Sequence, residues 1–171
     1  LSKCDLVTSL VGEFPELQGI TGKYLAQNDK EDQDICLAIE EHYQPRFAGD
    51  QLPESEIGQI VALADKLDTL AGIFGIGQQP GGAKDPFALR RAALGVVRIL
   101  VEKKIPLSIS ELVEAAYSVQ PENIEKTQTD LINFILERAK GYFVDHGHTI
   151  TAIDSVLQPA GADTTLYTLP D

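Results

Sequence analysis

The sequence has few cysteines and no long apolar run. Cys4 and Cys36 are its two cysteines among 171 residues and form no CxxC pair, so we expect reduced thiols in the cytoplasm rather than a disulfide scaffold. The apolar stretch 70–76 falls far short of the ~20 residues that cross a bilayer, which predicts no membrane contact. No initiator Met or leader precedes Leu1 and the last residues lack periodicity, so we expect a piece of a longer protein.

Basic residues are also scarce. Fourteen Lys and Arg face 26 Asp and Glu, for a net charge of -12 and a pI near 4.6. So negative a net charge argues against a protein that binds nucleic acid over its whole surface. Residues 1–83 hold five basic and fourteen acidic side chains, whereas residues 84–140 hold nine and eight. Any RNA contact should therefore be local, and the candidates are Lys84, Arg90, Arg91, Arg98 and Lys140. The alternative is a solvated helix surface on which Arg98 pairs with Glu102 at i+4.

Motifs for phosphate binding and nucleophilic catalysis are lacking. The loop from Gly81 to Asp85 has the wrong spacing for a Gly-Lys-Ser/Thr phosphate loop and ends in a carboxylate, so we expect no ATP binding by this chain. The sequence also shows no convincing Ser/His/Asp or Cys/His combination of the kind that carries out nucleophilic catalysis. We therefore assign no catalytic residue, and we expect no cofactor for this chain alone.

Helical periodicity runs through almost the whole sequence and predicts an all-α fold. Asp85-Pro86 is typical of a helix start, with a capping carboxylate followed by a proline. Ser108 and Glu111 have the spacing of a capping box. A boundary at Ile105-Pro106 would divide a helical bundle, residues 1–104, from a smaller helical extension, residues 105–158, and an irregular tail, residues 159–171.

One group of residues has the spacing of a metal-dependent hydrolase. His42 precedes a loop containing Gly49, and Asp65 lies in an A-D-x-x-D-x-L string at 64–70. This pattern resembles the HD superfamily of metal-dependent phosphohydrolases. The resemblance implies an HD-like helical bundle in which imidazole and carboxylate ligands hold a divalent ion that activates water.

The resemblance departs from that superfamily at the ligands themselves. Cys4-Asp5 stands where the superfamily has its His-Asp pair, Phe14 replaces another His, and the 171 residues do not include the upstream helix that would supply the first His. Asp5, His42 and Asp65 remain as a degenerate candidate metal site in an N-terminally truncated bundle. The alternative is structural: two hydrogen-bonded buried acids and a helix-end histidine.

A second resemblance covers nearly the whole chain. The strings that carry it are SKCDLVT at 2–8, EFPELQG at 13–19, QPRFAGD at 44–50, ADKLDTLAGIFGIG at 64–77, KDPFALRRAALG at 84–95, NFILER at 133–138 and IDSVL at 153–157. The sequence in these stretches resembles the beta subunits of bacterial heterotetrameric glycyl-tRNA synthetases. The string at 64–77 and the one at 84–95 are the most specific.

This resemblance implies the central HD-like domain and following helices of a subunit that recognises tRNA while the alpha subunit carries the aminoacylation site. The expected partners are tRNA for glycine, the alpha subunit and the remainder of the beta subunit, with ATP and Mg in the parent complex. Two alternatives stay open. One is an HD-type phosphohydrolase that retained a metal, and the other is a scaffold that contacts subunits without touching RNA.

Overall fold

A computed structural model describes residues 2–82, 84–125, 127–160 and 165–168. These residues form eight α-helices and no β-strand, with two isolated bridges, which confirms the predicted all-α fold. Within them, no helix combines the length and apolar character that a membrane crossing requires. The helices are α1 (Ser9–Glu13), α2 (Ile20–Asn28), α3 (Gln33–Glu41), α4 (Glu56–Gly75), α5 (Leu89–Glu102), α6 (Ile109–Ser118), α7 (Gln128–Asp145) and α8 (Ile150–Ala160).

The chain divides into two compact units, Leu1–Asp65 and Lys66–Asp171. The division falls inside α4 and not at Ile105-Pro106, where the sequence suggested a boundary. The reason is packing: α5, which precedes Ile105, lies against α7, and α7 packs against α6 and α8. Helices on both sides of Ile105 therefore share one core.

The first unit is built around the pair α2 and α3. Their close approach depends on Gly22, where an added Cβ would lie 2.6 Å from the side chain of Ile39. Asp32 starts α3 by accepting a hydrogen bond from the Asp34 N–H at 2.9 Å. Cys36 is fully buried on α3. Two short 3₁₀ turns, Cys4–Val7 and Pro15–Leu17, flank α1.

The second unit has an apolar core that includes Leu100, Val113, Leu131 and Ile135, all fully buried. The predicted capping box is confirmed at the start of α6. The hydroxyl of Ser108 accepts from the Glu111 N–H, and the Glu111 carboxylate accepts from the Ser108 N–H at 2.9 Å.

Helix α5 begins later than predicted. It starts at Leu89, and Ala88 before it has a left-handed φ of 55°. Asp85 nevertheless caps the helix, because its two carboxylate oxygens accept from the N–H groups of Leu89 at 2.8 Å and Arg90 at 3.0 Å. The prediction that the helix starts at Asp85 was wrong, since a further turn separates the capping side chain from the first helical residue.

The predicted irregular tail, residues 159–171, contains more regular structure than expected. Helix α8 continues to Ala160. Leu166–Thr168 forms a 3₁₀ turn that packs against α5, with Leu166 buried. Residues 161–164 and 169–171 of the predicted tail lie outside the described residues.

Candidate functional site

The three candidate metal ligands come from three segments of the first unit. Asp5 lies in the first 3₁₀ turn, His42 at the carboxyl end of α3, and Asp65 in α4. Asp5 is 2% exposed. Its carboxylate accepts hydrogen bonds from the Gly19 N–H at 2.6 Å and from the Tyr43 hydroxyl at 3.3 Å. Asp5 therefore ties the chain start to the α2 N-terminus and to the segment after α3.

Gly19 is needed for this contact. Its φ of +82° lies in the left-handed region that side chains rarely adopt, and an added Cβ would be 2.8 Å from the Tyr43 ring. Burial, and then the charge of Asp5, raise the pKa of Tyr43 to about 12. The phenol therefore remains protonated and donates to Asp5 at neutral pH.

His42 is fully buried and its hydrogen bonds fix its tautomer. Its Nδ1 lies 2.8 Å from the carbonyl oxygen of Ile39. Because that oxygen can only accept, Nδ1 carries the proton and Nε2 offers a lone pair. Burial, followed by the nearby charge of Lys3, lowers the pKa of His42. The imidazole is therefore neutral near pH 7.

Lys3 is the group that joins His42 to Asp65. Its ammonium nitrogen is 3.4 Å from His42 Nε2 and 3.0 Å from Asp65 Oδ2. It also lies 4.5 Å from the centroid of the Tyr43 ring. The sequence reasoning missed Lys3, because no spacing rule links a lysine to partners that lie on later helices.

These residues do not fit a divalent metal ion. Asp5 is engaged by two donors, and an ammonium group already lies between His42 Nε2 and the Asp65 carboxylate. A divalent ion placed there would face a positive charge at contact distance. In the part of the chain that the structure describes, no group of three or more His, Cys, Asp or Glu is arranged to hold a metal ion.

Three of the five RNA-binding candidates lie around the amino end of α5. Lys84 and Arg91 are exposed, and Arg90 is partly exposed. The guanidinium of Arg90 donates to the carbonyl oxygen of Gly82 at 2.6 Å. A carbonyl group carries no net charge, so this hydrogen bond orients the guanidinium without neutralising it.

The other two candidates form ion pairs. Arg98, with 13% of its side chain exposed, lies 2.8 Å from Glu102, which is the i+4 pair that the sequence offered as the alternative. Lys140 lies 2.5 Å from Asp154. RNA contact by any of the five stays a prediction. Three of the five lie around the start of α5, and the ion pairs of Arg98 and Lys140 lie further along the chain.

Comparison with known proteins gives one consistent result. The family model described as glycyl-tRNA synthetase beta subunit matches residues 1–158. The glycine–tRNA ligase beta subunits of Thiobacillus denitrificans and Yersinia enterocolitica are 53% and 50% identical to this chain over 158 and 159 residues, in each case 92% of it. The beta subunit of Photorhabdus laumondii is 49% identical over 170 residues, or 95% of the chain. The chain covers 22%, 23% and 25% of these relatives respectively, and so spans a quarter of their length or less.

Proposed function

Since this chain belongs to the family of glycyl-tRNA synthetase beta subunits, we propose that it is a tRNA-binding and architectural segment of a glycine–tRNA ligase. It supports the glycylation of tRNA that the alpha subunit carries out. Its partners are tRNA for glycine, the alpha subunit and the remainder of the beta subunit. ATP and Mg act in the parent complex, in the cytoplasm, and this segment, related to HD-like bundles, supplies no catalytic group.

The observation that supports an RNA contact is the placement of Lys84, Arg90 and Arg91. Three cations fall within eight residues at one end of α5, in a chain whose net charge is -12. A tRNA near such a chain is repelled unless a local basic patch meets its phosphates. Guanidinium groups suit that role because they donate two parallel hydrogen bonds to a phosphate.

The test is the tRNA affinity of the assembled ligase carrying Lys84→Ala and Arg91→Ala in its full-length beta subunit. We expect a higher Kd, and a salt dependence of log K that becomes shallower by roughly 0.7 to 0.9 for each phosphate that the variant no longer binds. The matched control is Lys30→Asn. It removes one exposed cation from the first unit, and asparagine tolerates the φ of 62° at that position.

Arg98→Ala and Lys140→Ala sharpen the same test. Both side chains already pair with carboxylates, so a phosphate would have to compete with Glu102 or Asp154. We expect smaller changes in Kd and salt slope than for the double substitution at the start of α5, because each of these variants removes a single charge. Unchanged affinity and slope in all three variants, with a folded protein, would leave the segment as a subunit-contact scaffold.

The scaffold alternative has one observation in its favour. Several large apolar side chains of the first unit are exposed, among them Val7 at 89%, Tyr24 at 64% and Ile60 at 65%. A subunit contact would bury such side chains. The phosphohydrolase alternative has no comparable support, because Lys3 lies between the histidine and aspartate that would hold its metal ion.

A further inference from the structure

We propose that the ammonium group of Lys3 is the permanent cation of the first unit and takes the place of the divalent ion that the resemblance to metal-dependent phosphohydrolases implies. On this proposal the segment folds and persists without any metal. It is independent of whether tRNA binds the second unit, because Lys3 and its partners all lie within Leu1–Asp65.

The groups around Lys3 are those that a divalent ion would select. A neutral imidazole nitrogen and a carboxylate oxygen are ordinary metal ligands, and both aim at one point, which the ammonium nitrogen occupies at 3.4 and 3.0 Å. The tautomer of His42 is also the one a metal requires, since its Nδ1 proton is held by the Ile39 carbonyl. The sequence thus retains a cation-binding arrangement and supplies the cation itself.

A third contact suits an ammonium group better than a metal ion. Lys3 Nζ lies 4.5 Å from the centroid of the Tyr43 ring, a distance at which the ring face attracts a cation. The Tyr43 and His42 rings lie 3.9 Å apart. The ammonium therefore contacts a carboxylate, an imidazole and an aromatic face, while the Lys3 side chain as a whole remains 41% exposed.

Replacement of a divalent ion by the Lys3 ammonium has chemical and structural consequences. An ammonium group can neutralise Asp65 and bridge segments as a metal does, but it is not a Lewis acid, so it cannot coordinate a water oxygen and lower the pKa of that water for attack on phosphorus. The architecture of a metal site is kept while its hydrolytic chemistry is removed. Lys3 also fastens the chain start to α4 in a unit that has thirteen acidic and only four basic residues.

The experiment compares thermal unfolding of the 171-residue chain as wild type, Lys3→Ala and Lys23→Ala, each with EDTA or with millimolar Zn²⁺. Lys23→Ala is the matched control: it removes another lysine of the first unit from an ion pair, with Glu40 at 2.6 Å, where no imidazole is present. We expect Lys3→Ala to lower Tm by roughly 2 to 4 °C, and Zn²⁺ to restore part of that loss. Zn²⁺ should not restore Lys23→Ala.

The wild-type protein tests the proposal without any substitution. After dialysis it should contain no stoichiometric Mn, Fe or Zn, and EDTA should leave its Tm unchanged. Retained metal, or a lower Tm in EDTA, would overturn the proposal even if Lys3→Ala fails to fold. A Tm of Lys3→Ala equal to that of wild type would also overturn it. Failure of Zn²⁺ to stabilise a folded Lys3→Ala variant would overturn the proposal as well. Lys3 would then form an ordinary ion pair with Asp65 and would not occupy a cation site.

Discussion

The two units of the chain are stabilised by different kinds of buried group. Eleven of the twelve largest fully buried side chains among the described residues belong to Lys66–Asp171, and all eleven are apolar or aromatic. The one that belongs to Leu1–Asp65 is His42. The second unit is therefore held mainly by large apolar side chains, whereas the first combines small buried residues such as Cys36 and Ala62 with a fully buried histidine.

Charge and buried polar groups show the same contrast. The first unit has thirteen acidic and four basic residues, and the second has thirteen and ten. Among the described residues, the buried polar ones are Asp5, Thr21, His42, Gln44 and Asp50 in the first unit, and Lys66 and Ser108 in the second. The stability of the first unit therefore relies more on hydrogen bonds between buried polar groups, and that of the second more on packed apolar side chains. The first should therefore respond to loss of a polar partner, and the second to loss of volume.

The largest effect is expected in the apolar core of the second unit. Leu131 on α7 is fully buried, and Leu131→Ala should lower the free energy of unfolding by about 3 to 5 kcal/mol, because it removes apolar burial and leaves a cavity. Urea denaturation measures this. Ile150→Ala on α8, where the side chain is 65% exposed, is the control and should change stability by less than about 0.5 kcal/mol. Equal effects of the two variants would contradict the packed core.

A polar substitution should have the next largest effect, in the first unit. Asp5→Ala leaves the Gly19 N–H and the Tyr43 hydroxyl without their acceptor, and an unsatisfied buried donor costs about 1 to 3 kcal/mol. Glu31→Ala, at an exposed acid of the same unit, controls for the loss of a negative charge. If Asp5→Ala were as stable as Glu31→Ala, the polar network would contribute little and the contrast between the units would fail.

A third substitution tests one exception to that contrast, the buried Ser108 of the second unit. Ser108→Ala removes the acceptor for the Glu111 N–H and one half of the capping box on α6. Loss of an N-cap costs about 1 kcal/mol. The control is Ser118→Ala, which affects an exposed hydroxyl at the other end of α6. Hydrogen exchange of the α6 amides should rise in Ser108→Ala but not in the control.

The features that sequence analysis predicted well are local ones. The capping box of Ser108 and Glu111 is set by residues three positions apart, and its sequence pattern was enough to identify it. Asp85 was also recognised as a cap, but the helix starts at Leu89 because Ala88 adopts a left-handed conformation that no spacing rule indicates. Helix period and capping chemistry are short-range, so they predict that a helix exists better than where it begins.

The arrangement around Lys3 could not be predicted in the same way. Asp5, His42 and Asp65 were recognised as a group by family resemblance, but the ammonium between two of them comes from a residue 62 positions before Asp65. Its position depends on how the chain start packs on α3 and α4. Likewise the unit boundary inside α4 reflects which helices share a core, a property of tertiary packing that Pro106 does not reveal.

The smallest expected effect concerns Arg98, the one RNA-binding candidate whose ion pair the sequence anticipated. Arg98 lies 2.8 Å from Glu102, and the Tyr142 hydroxyl also approaches that carboxylate at 3.4 Å. A double-mutant cycle with Arg98→Ala and Glu102→Ala should give a coupling free energy of about 0.5 kcal/mol, because Glu102 is exposed enough for water to screen the pair. A coupling that small lets a phosphate displace Glu102 at little cost, so Arg98 could still serve tRNA. A coupling above about 2 kcal/mol is typical of a desolvated pair. It would show that Arg98 serves the stability of the fold, and Arg98 would no longer be an RNA-binding candidate.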